Sequence, residues 1–301
     1  MRPSWPYRLP GARGRDGVVQ SRDGVVARLL HVEEIPIVVN AWRLRDGRVI
    51  LRASPVGDNA DEKQLETAID RMRFALGLDD DFSDFYDRFR GDTLLGPAIR
   101  RNPTARPRRR PWPWEALAWA VTEQLIDVPR AQAIQRRIVR RWGPTAPSNL
   151  PAPGRNDQDL LRDVPSAATI AGVAPAELAS MDLAPKRAIA LIKVAREVAA
   201  GRADLFDPGC EPRLTGISEI GTWTVRCLGL FGRGDPDALP SGDLGYLKLI
   251  GHLAELGRRA VPEEVEEFFA PYEPYRGLAG TFVLREYHGM VAKGPPLRRV
   301  A

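Results

Sequence analysis

Leu214 to Asp243 reads LTGISEIGTWTVRCLGLFGRGDPDALPSGD, and no other stretch restricts the fold as strongly. A short turn, Ile217-Ser218-Glu219-Ile220-Gly221, sits between two apolar stretches. Thr222 to Phe231 follows with the spacing of a helix. A segment rich in Gly and Pro then ends that helix and delivers one carboxylate, Asp243, at the start of Leu-Gly-Tyr-Leu-Lys. A turn this tight between helices exposes backbone N–H groups. Such groups can hold a phosphate without reading sequence.

The rest of the chain divides at about residue 100. Before it, Gly17–Leu30 and Ile35–Ser54 are rich in Val, Ile and Arg, with turn signals at Arg22-Asp23-Gly24 and Arg45-Asp46-Gly47. The second predicts a hairpin of Ile37–Leu44 and Arg48–Ala53. A helix is expected from about Ala60 to Leu76, with Leu65, Ala68, Ile69, Met72 and Leu76 on one face, then a shorter one through Phe82, Phe85 and Phe89. Residues 100–113 (RRNPTARPRRRPWP) read as a Pro- and Arg-rich linker or crossover, its arginines solvated or in contact with phosphate.

From Trp114 onward the pattern is helical. Leu117, Val121 and Gln124 share one face, and Ala131, Ile134, Ile138 and Trp142 another. Ala188, Leu191, Ile192, Ala195, Val198 and Ala199 form an amphipathic stripe. Residues 144–157 read as a Pro-rich loop. Leu244–Leu256, Pro262–Phe269 and Tyr275–His288 complete the helices. The expected architecture is mainly α, with a small α+β domain and its antiparallel sheet over residues 1–100. Its strands lie beside an all-α domain over 101–301.

The formal charge of +5 favours an anionic partner, though a basic soluble protein needs none. Cys210 and Cys227 lack the spacing of a metal or iron–sulfur site, and His31, His252 and His288 are scattered. The sequence shows no membrane span and no signal-peptide core. A cytoplasmic protein with no membrane partner is the expectation.

Two positions carry the chemistry, each with an alternative. The turn follows a Leu-x-x-hydrophobic-x-Gly-hydrophobic-Gly pattern from Leu214 to Gly221, with Glu219 in place of the first Gly. Gly there would permit positive φ and close approach to a ligand, and a carboxylate should repel phosphate. The alternative is an ordinary helical corner. Asp243 is either a helix N-cap or a catalytic acid, and the two roles are compatible because a helix start keeps a carboxylate ionised.

With these residues in view, the chain resembles the helix-hairpin-helix (HhH-GPD) DNA glycosylase superfamily, in particular its DNA-3-methyladenine glycosylase II branch. Three local matches carry the resemblance: Trp114-Glu115-Ala116-Leu117 through Glu123-Gln124-Leu125-Ile126, Ile220-Gly221-Thr222-Trp223-Thr224 with Asp243, and Tyr272-Glu273-Pro274-Tyr275-Arg276-Gly277. The resemblance implies the HhH-GPD fold, damaged double-stranded DNA as partner, a monomer, and a cytoplasmic, nucleoid-associated bacterial repair enzyme.

It implies that Asp243 is the catalytic carboxylate, stabilising an oxocarbenium-like sugar as an alkylated purine such as 3-methyladenine departs. Trp223, Cys227 and Tyr246 would wall the base pocket. Cys227 stands where relatives often carry an aromatic, and Trp223 read alone is a core residue. Gln124, Leu125, Ile217, Ile220, Gly221, Thr222 and Thr224 would face DNA. Leu125 would be the wedge that fills the gap left by the flipped nucleotide. Read alone, Leu125 is a buried helix-end leucine.

No cofactor is required, and backbone carbonyls of Thr215, Ile217 and Ile220 would hold a Na or K ion. Bifunctional relatives carry a lysine two positions after the second hairpin Gly. Here Trp223 stands there, so the resemblance implies hydrolysis without strand cleavage. Glu219, Asp127 and Cys227 depart from the pattern and leave open a non-catalytic DNA-binding protein on the same fold.

Overall fold

A computed structural model describes residues 1–10, 16–57, 60–148 and 160–292, with side chains through Tyr287. Strand β1 (Val19–Arg22) turns into β2 (Val25–Val32) through Asp23 and Gly24, both at positive φ, the backbone twist that two-residue hairpins favour. Strands β3 (Ile35–Arg43) and β4 (Val49–Pro55) follow, giving an antiparallel sheet in the order β1-β2-β3-β4. Helix α1 (Glu62–Leu76) starts at a capping box of Asp61 and Gln64. It covers one face of the sheet, with Ala68 and Met72 against Val26, Leu30, Ile37 and Val39.

The other sheet face is covered by a part of the chain expected to be loop. Thr145–Pro147 (β5) pairs with Leu160–Arg162 (β6), and Ala146 and Leu161 pack on Ala27, Leu29 and Val38. Prolines mark this stretch as irregular. What the pattern does not reveal is the apolar outer face of the sheet, which needs a cover. Residues 149–157 of the expected loop lie outside the described residues.

Helices α2 (Ser83–Phe89) and α3 (Leu95–Arg101) precede the Arg-rich segment, yet Phe85, Leu95 and Ile99 pack with Leu249, Phe269 and Phe282 near the C-terminus. The helical layer therefore begins before residue 100. Three of the arginines beyond it turn inward, while Arg108 stays exposed. Arg109 pairs with Asp80, Arg110 with Asp16 at 2.8 Å and with Glu115 at 3.2 Å, and Arg106 lies over the Phe82 ring. Buried carboxylates on neighbouring elements draw them inward. Buried Arg28 on β2 also pairs with Glu115, which joins the sheet to the helices.

The helical core is built on α4 (Pro113–Glu123), buried nearly all round. Helices α5 (Val128–Trp142), α6 (Ala167–Ala171), α7 (Pro175–Ser180) and α8 (Pro185–Ala199) surround it, followed by α9 (Glu211–Thr215) and α10 (Thr222–Cys227). The chain continues from α10 in a wider π-type turn, Leu228–Arg233. Gly232 lets that turn approach α4 closely: a Cβ there would lie 3.0 Å from Ala116 Cβ and from Pro113 Cα. Helices α11 (Leu244–Leu253), α12 (Pro262–Phe269) and α13 (Arg276–Ala292) form the second helical cluster with α2 and α3. Among the described residues no helix is long and apolar enough to cross a membrane.

Candidate active site

Two local backbone bonds close the hairpin between α9 and α10. Ile217 N–H donates to the Leu214 carbonyl at 3.0 Å, and Ile220 N–H to the Ile217 carbonyl at 3.0 Å. Glu219 takes φ 73° to close the turn, the conformation for which Gly is usually chosen. The N–H groups of Gly221, Thr222 and Trp223 have no backbone partner among the described residues, and Gly221 and Thr222 are exposed.

Asp243 is the N-cap of α11, with Oδ1 accepting the Gly245 N–H at 2.7 Å. It is half-buried and packs next to Trp223: a Cβ at Gly242 would lie 3.6 Å from Trp223 Cβ. Burial pushes the Asp243 carboxyl above the ordinary aspartate range, against the pull of the Gly245 N–H, the Trp223 indole and the Tyr246 N–H. The Trp223 indole nitrogen is buried and makes no hydrogen bond of ordinary geometry, although it faces this carboxylate closely enough to steady its charge. Cys227, one helical turn after Trp223, and Tyr246 are both buried. Burial raises the pKa of each, and the Asp243 charge adds to both shifts.

Leu125 is 96% exposed and sits at φ 54°, between α4 and α5. It is therefore not a buried helix-end leucine. Gln124, beside it, donates its side-chain amide to the Glu219 carbonyl at 2.7 Å and to Thr224 Oγ1 at 3.0 Å. The exposed leucine, the hairpin and the half-buried acid thus belong to one connected region.

Known proteins share this fold. No family profile matches the chain. A "DNA-3-methyladenine glycosylase" of Bacillus subtilis is 24% identical over 87% of this chain and 86% of its own length. The "probable bifunctional transcriptional activator/DNA repair enzyme AlkA" of Mycobacterium tuberculosis is 26% identical over 98% of this chain, which spans 58% of that longer protein. The solved structure of a 3-methyladenine DNA glycosylase from Archaeoglobus fulgidus superposes with a TM-score of 0.78, at 18% identity, over 96% of this chain and 98% of that one. The chain has the fold of the helix-hairpin-helix DNA glycosylases.

Within this glycosylase fold, not every expected DNA-facing residue turns outward. Ile220 is 3% exposed and packs in the helical core, and Ile217 is half-buried against it. Thr224 is 1% exposed, its hydroxyl occupied by Gln124 and its N–H by the Gly221 carbonyl at 3.0 Å. An apolar contact under the turn and a polar tie to α4 hold these side chains inward. Only backbone groups at Ile217 and Ile220 remain for a ligand. Tyr246 packs edge-to-face on Phe269 with its hydroxyl over Gly280, so it backs the site from the core.

The two carboxylates that conflict with phosphate are differently placed. Asp127 accepts the Arg130 N–H at 2.9 Å and caps α5, which turns its charge onto its own helix. Glu219 is exposed, but Arg187 lies within Coulombic reach of it and donates to the Gln124 carbonyl at 2.5 Å. Two surface hollows stand out among the described residues. One of about 310 Å³ is lined by Met1, Leu51, Ile69 and Arg73, and one of about 260 Å³ by Ile126, Arg130, Asp182 and Arg187. Neither touches Asp243.

Sequence reasoning passed over Glu123, Gln135 and Arg187. Glu123 is a half-buried carboxyl on an otherwise apolar helix, immediately before Gln124, and that position was its one available signal. Gln135 and Arg187 lie on α5 and α8, away from any recognisable motif.

Proposed function

We propose that the chain is a monofunctional DNA glycosylase of base excision repair. It flips an alkylated purine such as 3-methyladenine out of duplex DNA and hydrolyses its N-glycosidic bond, leaving an abasic site. The observation that carries this reading is the half-buried Asp243 carboxylate beside Trp223, at the start of α11 and beyond the helix and Gly/Pro segment that follow the hairpin. The names of the two relatives point the same way.

In this reading the protein acts as a monomer, and the free N–H groups at Gly221, Thr222 and Trp223 hold one phosphate. Leu125 enters the space vacated by the flipped nucleotide. A base made cationic by alkylation is attracted to the face of Trp223. The Asp243 carboxylate then stabilises positive charge developing on the sugar, where low dielectric makes it most effective.

Trp223 occupies the position at which a lysine would attack the sugar, and the next lysine along the chain is Lys248 on α11. Water is therefore the nucleophile and the strand stays intact. The reaction needs no cofactor. The Thr215, Ile217 and Ile220 carbonyls suit a Na or K ion that would stiffen the hairpin. The Ile217 oxygen accepts one N–H at 3.0 Å and keeps a second lone pair.

Incubation with methylated duplex DNA tests the reading. Free methylpurine and alkali-labile, unnicked abasic sites are expected from the parent protein and not from Asp243→Asn. No released base, or equal release from both proteins, would count against it. A second reading, a DNA-binding protein of this fold without turnover, is favoured by Glu219 at the phosphate turn. Its signature is salt-sensitive duplex binding, unchanged in Asp243→Asn, with no abasic product.

A further inference from the structure

Glu123 closes α4 and stands one residue before Gln124. Its Oε1 accepts a 2.9 Å hydrogen bond from Gln135 Nε2, and the same amide donates to Thr122 Oγ1 at 3.0 Å. Gln135 is 1% exposed, so the group that holds this carboxyl is itself fixed in the core. Oε2 has no hydrogen-bond partner among the described residues. Helix α4 packs against α10, and across that contact Glu123 lies within Coulombic reach of both Cys227 and Asp243. The site therefore contains two carboxyls, of which the mechanism above uses one.

One carboxyl is enough for a base that alkylation has already made cationic, because that base leaves as a neutral molecule. An uncharged purine leaves as an anion unless a proton reaches a ring nitrogen as the bond breaks. A carboxyl held neutral in low dielectric is a suitable source.

We propose that Glu123 is the general acid of this site, delivering a proton from Oε2 to the departing base when that base is an uncharged purine. The proposal rests on the glycosylase reading. In the reaction the C1′–N9 bond breaks and its electron pair moves into the purine. The Glu123 proton passes to a purine ring nitrogen, while the Asp243 carboxylate faces the cationic sugar. Water adds to C1′, and its surplus proton returns to Glu123. The sum is a purine nucleotide and water giving an abasic sugar and the free base.

The surroundings support this division of roles. Burial raises the Glu123 pKa, the charges of Asp243 and Asp16 add to the rise, and Arg110 and the Gln135 amide oppose it. On α10 the Cys227 thiol is pushed well up and stays neutral, so it does not compete for the proton. Asp243 accepts the backbone N–H of Gly245 at a helix start, which makes it the carboxyl of the pair that ionises first.

The test is single-turnover release of base from duplexes carrying either hypoxanthine, an uncharged purine, or cationic 7-methylguanine, across the range from acid to mildly alkaline pH. The parent protein should release both. Hypoxanthine release should fall towards alkaline pH, while 7-methylguanine release should not. Glu123→Gln keeps an oxygen for Gln135, and should lose about 100-fold or more on hypoxanthine while 7-methylguanine changes by less than about 3-fold. Asp243→Asn should lose both. Equal losses on the two bases in Glu123→Gln, or one pH profile shared by both bases in the parent protein, overturn the acid role. Release of 7-methylguanine alone by the parent protein also overturns it and leaves the glycosylase reading standing. Release of neither base overturns both.

Discussion

The Gln124 side-chain amide donates to the Glu219 backbone carbonyl at 2.7 Å. With its 3.0 Å bond to Thr224 Oγ1, this contact sets the distance between the turn that carries Leu125 and the hairpin. Gln124→Ala removes both bonds. Stability should fall by about 1–2 kcal/mol, read by urea unfolding. Base release should fall by about 10-fold or more, because a small displacement of either turn misaligns the flipped nucleotide. Full release at reduced stability would mean that the two turns are not coupled.

Asp243→Asn separates stability from chemistry. Asn caps a helix as well as Asp does, so α11 should start normally. Base release should fall by about 100-fold to 1,000-fold. The folded parent protein binds the Asp243 proton more tightly than the unfolded chain does. Its stability therefore declines as pH rises from the ordinary aspartate value into the raised one, and the cost stays fully present at neutral pH. The Asn variant should melt higher than the parent at neutral pH, and this advantage should vanish below about pH 4. Parent activity should fail on acidification through the raised value, because the carboxylate must be ionised. Melting curves at the two pH values check the first point, and a pH–rate profile the second.

Leu125→Ala should leave stability within about 0.5 kcal/mol of the parent, since a side chain 96% exposed contributes little burial. Activity on intact duplex should nevertheless fall by about 10-fold or more, because nothing then fills the emptied stack. The same lesion opposite a missing nucleotide needs less stacking to be broken and should be processed with a smaller difference between the proteins. Equal losses on both substrates would remove the wedge role.

Much of this site was legible in the sequence because local chemistry fixed it. The tight turn, the Gly/Pro segment and the acid beginning α11 are each set by neighbours a few residues away, and the structure has them where the pattern put them. The hairpin at Asp46-Gly47, the turn at Asp23-Gly24 and α1 were legible for the same reason. What escaped depends on distant partners. Within 100–113, Arg106, Arg109 and Arg110 turn inward to meet Asp80, Asp16 and Glu115, while Arg100, Arg101 and Arg108 stay exposed. Thr145–Pro147 becomes a strand because it pairs with Leu160–Arg162 over the sheet. Leu125 projects into solvent because of a left-handed backbone that apolar periodicity cannot report.

Glu219→Gly tests whether the hairpin faces phosphate at all. Glu219 sits at φ 73°, where a non-glycine residue costs about 1–2 kcal/mol. Gly removes that cost and adds a smaller one, about 0.5–1 kcal/mol, by freeing the unfolded chain. The variant should therefore be no less stable than the parent. The Gln124 bond goes to the backbone carbonyl, so it survives the substitution. Arg187, no longer offset by the carboxylate, adds its charge to the same surface. Removing one repulsion on the order of 1 kcal/mol should tighten binding to an undamaged duplex by about 5-fold at low salt. The gain should shrink as salt screens it. Fluorescence anisotropy over a salt series measures both effects. Binding that is unchanged or weaker at every salt concentration would place the phosphate elsewhere and leave this hairpin a plain corner of the core.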